Sequence, residues 1–284
     1  MVQKRFSLFD VLNGIILILI SVCVIFPFLY VFSVSFTDPD SYVPLKLYLF
    51  PDKWSLSTYK YLLSTNSFID CFKSTAFITI VGTLFNLAVT FTLAYGISKK
   101  NVAGRPLILG FIVFTLVFNA GILPNYLLVK ELGLLNSYWS LIWPSLTNAW
   151  SLLVVKSFIE ALPGELEEAA RIDGCNDLGV FFRIIVPLSM PAIAAFTLFF
   201  AVSHWNTYFN ALIYLSDSKK WTLQVLLKTL VIDSDSSGQS DDVMVPQETI
   251  KMASIILVMA PILVVYPFLQ KYFAKGVLIG SVKG

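Results

Sequence analysis

A short acidic stretch, ELEEAARIDGC at residues 165–175, stands out in a chain that is 57% hydrophobic and only 13% charged. Its early carboxylates suit the N-terminal end of a helix dipole, which favours negative charge. Arg171 follows Glu167 by four residues and Glu168 by three, which is the spacing of ion pairs on a helix. Gly174 stands where a left-handed C-cap is expected. The pattern predicts an isolated helix over Glu165–Asp173, about 13 Å long.

A helix this short is marginal in water and needs a surface to pack against. Leu166, Ala169 and Ala170 are spaced to share one face, and their small side chains allow a partner to approach closely. One interpretation is a solvated connector, and the other is a docking helix at the membrane surface. Helix physics alone does not decide between them.

Polar and aromatic side chains form a second group, within the apolar run Leu188–Leu215. Polar groups inside a membrane span are costly and usually face a bundle interior or a cavity. Amide side chains can hydrogen-bond a polar solute, and aromatic rings offer it flat apolar surfaces. We therefore predict a substrate pathway along this run, with further residues beside Gly121 and Pro124, where a kink is expected. One helical stripe of this run comprises Ser203, Asn206, Thr207, Asn210 and Tyr214. The predicted pathway residues are Asn119, Asn125, Ser203, His204, Trp205, Asn206, Tyr208 and Asn210.

The alternative for each polar residue is a hydrogen bond that holds neighbouring helices together. This alternative is favoured for Asn86 and Asn148, which stand singly in their spans. His204 fits either a pathway donor or a buried structural histidine. The stripe itself favours a pathway, because several polar groups align on it.

The chain offers no catalytic constellation and no convincing metal site. No acid/base pair or metal-ligand set falls at one membrane depth, and a lone histidine cannot build a zinc site. The tract Asp233–Asp242 follows part of an EF-hand pattern, but Met244 stands where a bidentate glutamate should complete the calcium shell. A solvated loop is the preferred interpretation. The net charge of +2 and the absence of a dense basic block argue against a nucleic-acid partner.

These groups belong to a predicted all-α membrane protein with six transmembrane helices. Each apolar run is long enough to cross the hydrocarbon core. The runs are Val11–Val34, Phe72–Ile97, Leu107–Val129, Tyr138–Val155, Leu188–Leu215 and Ile250–Phe273. Basic clusters near residues 4–5, 99–105 and 271–283 fall on one side if there are six spans. The positive-inside rule then places both termini in the cytoplasm.

We divide the chain into an N-terminal helix with the first outer loop, residues 1–71, and a transmembrane core, residues 72–284. The core contains the cytoplasmic loop 156–187, in which the acidic stretch lies. Two outer connections, Asp38–Cys71 and Ser216–Thr249, exceed the roughly 2–8 residues usual between helices.

The spacing within the cytoplasmic loop resembles the EAA loop of ABC importer permeases. Glu168, Ala169 and Ala170 are followed by Gly174 and then by IIVP at residues 184–187, where the family usually has I-x-L-P. LPGELEEAARIDG and FFRIIVPLSMPAI are similar to the carbohydrate branch that includes the maltose permease MalG. GILPNYLLVKELGLLNSYW and SHWNTYFNALIYL resemble the LplC/YtcP group of oligosaccharide permeases. The resemblance spans nearly the whole chain.

This resemblance implies a MetI-like permease fold and a coupling helix that inserts into a groove of a cytoplasmic ATPase. The implied coupling residues are Glu165, Glu168, Ala169, Ala170, Arg171, Asp173, Gly174 and Pro187. ATP and Mg²⁺ belong on the partner ATPase, since this chain has no GxxxxGK[ST] loop. It would be a transport subunit in the bacterial cytoplasmic membrane, not an enzyme.

The implied complex contains a second, similar permease, two ATPase copies and an extracytoplasmic solute-binding protein that delivers an oligosaccharide. The alternatives are an ABC permease for a solute other than a sugar and a self-contained secondary transporter or channel. The last is disfavoured, because the spans carry almost no charged residue for ion coupling.

Overall fold

The computed structural model describes residues 8–236 and 247–281, and the regular structure in these ranges is helical. The α-helices are α1 Leu8–Ser35, α2 Ser57–Ser64, α3 Asn66–Ser98, α4 Arg105–Val117, α5 Ile122–Glu131, α6 Trp139–Ile142, α7 Ala149–Glu160, α8 Gly164–Ile172, α9 Asp177–Val180, α10 Val186–Leu188, α11 Met190–Trp205, α12 Phe209–Tyr214, α13 Leu223–Ser236 and α14 Gln247–Ser281. Short 3₁₀ helices cover Pro39–Ser41, Trp143–Ser145 and Ser218–Lys220, and a π-helix covers Phe181–Ile185.

Within the described residues, three helical segments are long and apolar enough to cross a membrane. They are Val11–Ser35, Asn66–Ser98 and Gln247–Pro267. These confirm the first, second and last predicted runs as long apolar helices. A fourth crossing is possible if the bent pair Asp177–Leu188 and Met190–Trp205 is counted as one span. Six crossings stay a prediction.

The other three predicted runs are not continuous helices. The run 107–129 is broken between α4 and α5, where Gly121 adopts a φ of 82° that disfavours any side chain. The run 138–155 is broken after Pro144, and Asn148 then caps α7 by accepting a hydrogen bond of 2.8 Å from the Ser151 N–H. The run 188–215 is broken between Trp205 and Phe209. Hydropathy measures apolar character and does not show where a helix ends.

The chain divides into two compact units. The first comprises residues 1–68 and 227–260, and it includes α1, whose apolar window is fully exposed. Outside the spans, a hydrogen bond from Lys53 lowers the pKa of the Asp38 carboxyl. The segment after Ser216, predicted as an outer loop, contains α13. Most of the tract Asp233–Asp242, with Met244, lies outside the described residues.

The second unit comprises residues 69–226 and 261–284 and contains two apolar clusters. One cluster joins the C-terminal half of α3 to α7, α11 and the segment between α8 and α10. The other joins α5, α6 and α12 to the N-terminal half of α3. The first cluster supports the predicted coupling helix, and the second supports the polar break after Trp205.

Candidate coupling helix and translocation path

The acidic stretch forms helix α8, as predicted. The helix begins after Pro163 and carries Glu165 and Glu167 in its first turn. It ends in a Schellman motif, in which Gly174 N–H donates to the Arg171 carbonyl and Cys175 N–H donates to the Ala170 carbonyl, both at 3.0 Å. Gly174 has a φ of 84°, so the predicted left-handed C-cap is confirmed.

The two alanines of the motif point in different directions. Ala170 is buried among residues of α3 and the π-helix, within the first apolar cluster. Ala169 is exposed, together with Leu166 and Ile172, which is 86% exposed. The prediction that Leu166, Ala169 and Ala170 form one docking face is therefore wrong for Ala170. A nine-residue helix needs an anchor, and Ala170 supplies it by packing into its own subunit.

The ion pairs also differ from the expected pattern within the helix. Glu167 pairs with Lys99, just beyond the end of α3, instead of with Arg171. Arg171 donates a 2.9 Å hydrogen bond to Asp177 at the start of α9. Both partners lie outside α8, so these pairs connect the helix to α3 and α9.

Aromatic rings extend the contact between α3 and the loop. The Lys99 ammonium lies 4.2 Å from the centroid of the Tyr95 ring. The Tyr95 ring in turn lies 5.2 Å from the ring of Phe181, the first residue of the π-helix. A cation over an aromatic face adds an attraction of about 0.5–2 kcal/mol. Lys99, Tyr95 and Phe181 therefore bind the loop to the end of α3.

A cleft of about 680 Å³ lies beside α8 and is lined by both charge signs. Arg105 donates 2.8 Å hydrogen bonds to Glu160 and to the Ile97 carbonyl, and Lys156 donates to Glu160 at 2.7 Å. Lys100 and Glu168 also line this cleft, and both are exposed. The cleft separates α8 from the start of α4.

The remaining predicted coupling residues lie on the surface. Glu165, Glu168, Asp173 and Pro187 are exposed, and Gly174 has no neighbouring atom within 4 Å of an added Cβ. Beyond α8, Leu178 and Phe182 are 66% and 65% exposed. The sequence interpretation missed these two apolar side chains. Their separation of four residues, one helical turn, was the available signal.

The loop then enters α11 through a sharp bend. The helical segments Asp177–Leu188 and Met190–Trp205 meet at an angle of 79°. Pro187 and Pro191 flank the bend, and both lack the N–H that would continue the helical ladder. The loop that contains α8 is therefore connected to α11 through a bend and not through one continuous straight helix.

The break after Trp205 brings several predicted pathway residues together. Ser203, Asn206 and Asn210 are exposed. The Asn206 amide nitrogen donates to the Val202 carbonyl at 2.8 Å, and its oxygen accepts from Gln224 at 3.0 Å. The Asn206 and Thr207 N–H groups donate to carbonyls of α11, and the Thr207 carbonyl accepts from Thr222, so the exposed side chains are the polar groups that the break presents.

Two predicted pathway residues, His204 and Trp205, are instead buried. His204 Nε2 lies 3.0 Å from the Asn86 amide oxygen, and the Asn86 amide nitrogen donates to the Ser145 carbonyl at 2.7 Å. A Cβ added to Gly82 would lie 2.5 Å from His204 Nε2. The structural alternatives for His204 and Asn86 fit this placement, since both join α3 to other segments.

Asn119 and Asn125 stabilise the turn between α4 and α5. The Asn119 oxygen accepts from the Gly121 N–H at 2.9 Å, and Asn125 donates to the Gly121 carbonyl at 2.7 Å. Both side chains are exposed. Tyr126 and Tyr208 pack on the same apolar cluster, so α5 and the break after Trp205 lie at the same end of the second unit.

Within the part of the chain that the structure describes, no three His, Cys, Asp or Glu side chains converge to hold a metal ion. The proposed positions of a calcium-like loop at Gly238 and Asp241 lie outside that part. The two candidate functional sites in the described structure are therefore α8 with its ion pairs and the polar break after Trp205.

Comparison with known proteins places this architecture in a family. Residues 99–279 match the family described as binding-protein-dependent transport system inner membrane component. The chain is 46% identical to the polygalacturonan/rhamnogalacturonan transport system permease protein YtcP of Bacillus subtilis, over 98% of this chain and 99% of that protein. It is 47% identical to the protein LplC of the same organism, over 99% of this chain and 97% of that protein.

A solved structure agrees with the sequence relatives. A chain of a bacterial ABC transporter involved in the import of the acidic polysaccharide alginate superposes with a TM-score of 0.89 and 31% identity, over 95% of this chain and all of that chain. The expected MetI-like permease fold is confirmed, as is a transport subunit that is not an enzyme. The chain belongs to the binding-protein-dependent inner membrane permeases of ABC transporters.

Proposed function

We propose that this chain forms half of the translocation pathway of a bacterial ABC importer for acidic oligosaccharides. One sequence relative, named for polygalacturonan and rhamnogalacturonan transport, and a solved transporter involved in the import of alginate support this substrate class. The complex comprises a second permease, two copies of an ATPase and an extracytoplasmic binding protein. The chain crosses the cytoplasmic membrane six times, with broken helices counted as crossings and with both termini inside.

Helix α8 docks into the ATPase through its outer face. One observation carries this assignment: Glu167 and Ala170 attach the helix to its own subunit, while Leu166, Ala169 and Ile172 are exposed on the remaining surface. Exposed apolar side chains rimmed by charge are typical of a protein interaction site. Leu178 and Phe182 extend the docking surface.

The predicted coupling residues have distinct parts in this proposal. Glu165, Glu168 and Asp173 are exposed acids that can pair with a basic groove rim, and Gly174 sets the direction in which the chain leaves the helix. Arg171 and Pro187 shape the loop behind the helix. ATP and Mg²⁺ bind the partner ATPase, and this chain transmits the resulting closure.

The substrate passes the polar break after Trp205. Ser203, Asn206 and Asn210 present hydroxyl and amide groups there, which are the partners that sugar hydroxyls need. Trp205 and His204 support the break from behind instead of touching the sugar. A uronate carboxylate stays hydrated along the stripe, because the stripe contains no basic side chain.

The test is reconstitution of the complete complex in proteoliposomes, with its binding protein outside. Oligogalacturonides and alginate oligosaccharides should raise ATP hydrolysis and enter the lumen, while neutral malto-oligosaccharides of equal length should do neither. Selective uptake of the neutral sugars would contradict the acidic class. Uptake of a solute that is not a sugar, with none of these saccharides active, would overturn the whole substrate assignment.

A further inference from the structure

Lys99 occupies an unusual position between a membrane helix and the coupling helix. It is the first residue after α3, and its ammonium pairs with Glu167 on the inner side of α8. The side chains are 25% and 19% exposed, so the pair is largely shielded from solvent. Such shielding strengthens the attraction over that of a pair on an open surface.

The same ammonium lies over the Tyr95 ring, one helical turn back along α3. Tyr95 also touches Phe181, so Lys99 is held from two sides, by α8 and by α3 itself. Two restraints on one flexible side chain reduce its freedom to follow α8 independently. Displacement of Glu167 therefore acts directly on the end of α3.

Lys100 provides the natural contrast. It is next in the chain, lines the same cleft and is exposed, with no ion pair recorded in the described structure. The difference between the two lysines is therefore one of contacts, not of charge or general location. An effect that depends on the pair must appear at Lys99 and be absent at Lys100.

We propose that Lys99 is a positioning residue whose contact with Glu167 transmits the displacement of α8 to α3. The proposal rests on α8 being the ATPase-docking helix. Lys99 does not touch the ATPase or the substrate. It determines whether closure of the ATPase moves the membrane helix or only the loop.

The test uses single and paired charge reversals in the complete complex. Lys99→Glu and Glu167→Lys should each reduce substrate-stimulated ATP hydrolysis and uptake by about tenfold, within the usual range of coupling effects. The double variant should recover several-fold over either single variant, although not fully, because Glu at position 99 cannot bind the Tyr95 ring as a cation does. Lys99→Arg should stay near the parent, and Lys100→Glu is the matched control.

Co-purification of the ATPase separates this proposal from the docking assignment. Lys99 variants should retain the ATPase at the parental stoichiometry, while Ala169→Arg on the outer face should lose it. If the Ala169→Arg variant still retains the ATPase, the docking assignment is wrong. The charge reversals then decide by themselves whether the Lys99–Glu167 contact matters for transport. If the paired reversal transports no better than the worse single variant, or if Lys99→Glu transports normally, the transmitting contact is disproved.

Discussion

Helix α3 is joined to the rest of the second unit in two contrasting ways. At its C-terminal end, which the proposed orientation places in the cytoplasm, Lys99 and Tyr95 contact α8 and the π-helix, and we name this the cytoplasmic junction. Near its middle, Gly82 and Asn86 contact His204 of α11, and we name this the midspan junction. The first junction uses charge beside a cleft, and the second uses close packing and neutral hydrogen bonds.

This difference indicates which parts of the unit can move. The cleft beside α8 leaves room for that helix to move, while the contact of Glu167 with Lys99 ties it to the end of α3. At the midspan junction an added methyl group already has no space. Packed interiors change between discrete arrangements and do not deform continuously. We therefore expect α3 and α11 to move together, and displacement of α8 to reach them through Lys99.

The largest expected effect comes from filling the midspan junction. Gly82→Leu places a large side chain where an added Cβ would lie 2.5 Å from the buried His204 ring, so the ring or the helices must shift. We expect loss of much of the folded protein, because overpacking typically costs about 1–3 kcal/mol and the displaced ring also loses its contact with Asn86. Yield of monodisperse protein and its thermal unfolding midpoint measure this.

Gly96 in the same helix is the control, because an added Cβ there has no neighbour within 4 Å. Gly96→Ala should be neutral or slightly stabilising, since alanine favours helix over glycine by about 1 kcal/mol. Normal folding of Gly82→Leu would mean that the two helices are not closely packed, and the contrast between the junctions would fail.

The second effect concerns the C-cap of α8. Gly174→Val should weaken coupling several-fold, because a φ of 84° costs a β-branched residue at least about 1–2 kcal/mol. Gly174→Asn should retain most activity, since asparagine tolerates this conformation and the surroundings are open. The measurement is substrate-stimulated ATP hydrolysis of the assembled complex. Equal activity of both variants would show that the cap geometry does not matter.

A third effect separates hydrogen bonding from packing at the midspan junction. His204→Ala leaves the Asn86 oxygen without its partner and creates a cavity, so we expect a loss of about 2–4 kcal/mol in the free energy of unfolding. His204→Gln can still donate and should lose less. If both variants match the parent in denaturant unfolding within lipid, the hydrogen bond to Asn86 does not stabilise the helix crossing.

The smallest effect is the response of the two junctions to salt. Raising ionic strength from about 0.05 M to 1 M shortens the screening length severalfold and should weaken the cytoplasmic junction. Hydrogen exchange of α8 amides should then accelerate a few-fold, while the amides around Gly82 stay unchanged. Lys99→Met should remove this salt dependence. An equal response at both junctions would contradict the assignment of charge to only one of them.

Local sequence signals predicted the ends of the coupling helix well. Glycine in a left-handed C-cap and acids in a first turn depend on neighbouring residues alone, and the resemblance to the EAA loop covers the same stretch. The orientation of α8 about its own axis could not be predicted from such local signals. Whether Ala170 or Ala169 faces inward depends on the distant Tyr95 and Phe181, which no local pattern reveals.

The membrane helices show the same division between local and distant causes. The long apolar helices α1 and α3 were predictable, because uninterrupted hydropathy suffices for them. The breaks near Gly121, Pro144 and Asn206 were only partly predictable, since a glycine or proline permits a break without requiring it. Burial of His204 depends on the absent side chain of Gly82, which is far from it in sequence and adjacent to it in the fold.

The broken helices also bear on how the chain is made. Helix α1, with a mean hydropathy of 3.0 and every backbone group satisfied within the helix, can leave the translocon for lipid as soon as it emerges. The segments around Gly121 and Asn206 differ, because side chains bond their backbone: Asn119 and Asn125 bond Gly121, and Thr222 donates to the Thr207 carbonyl. The broken segments should therefore settle in the membrane later than α1, once these side chains are in place.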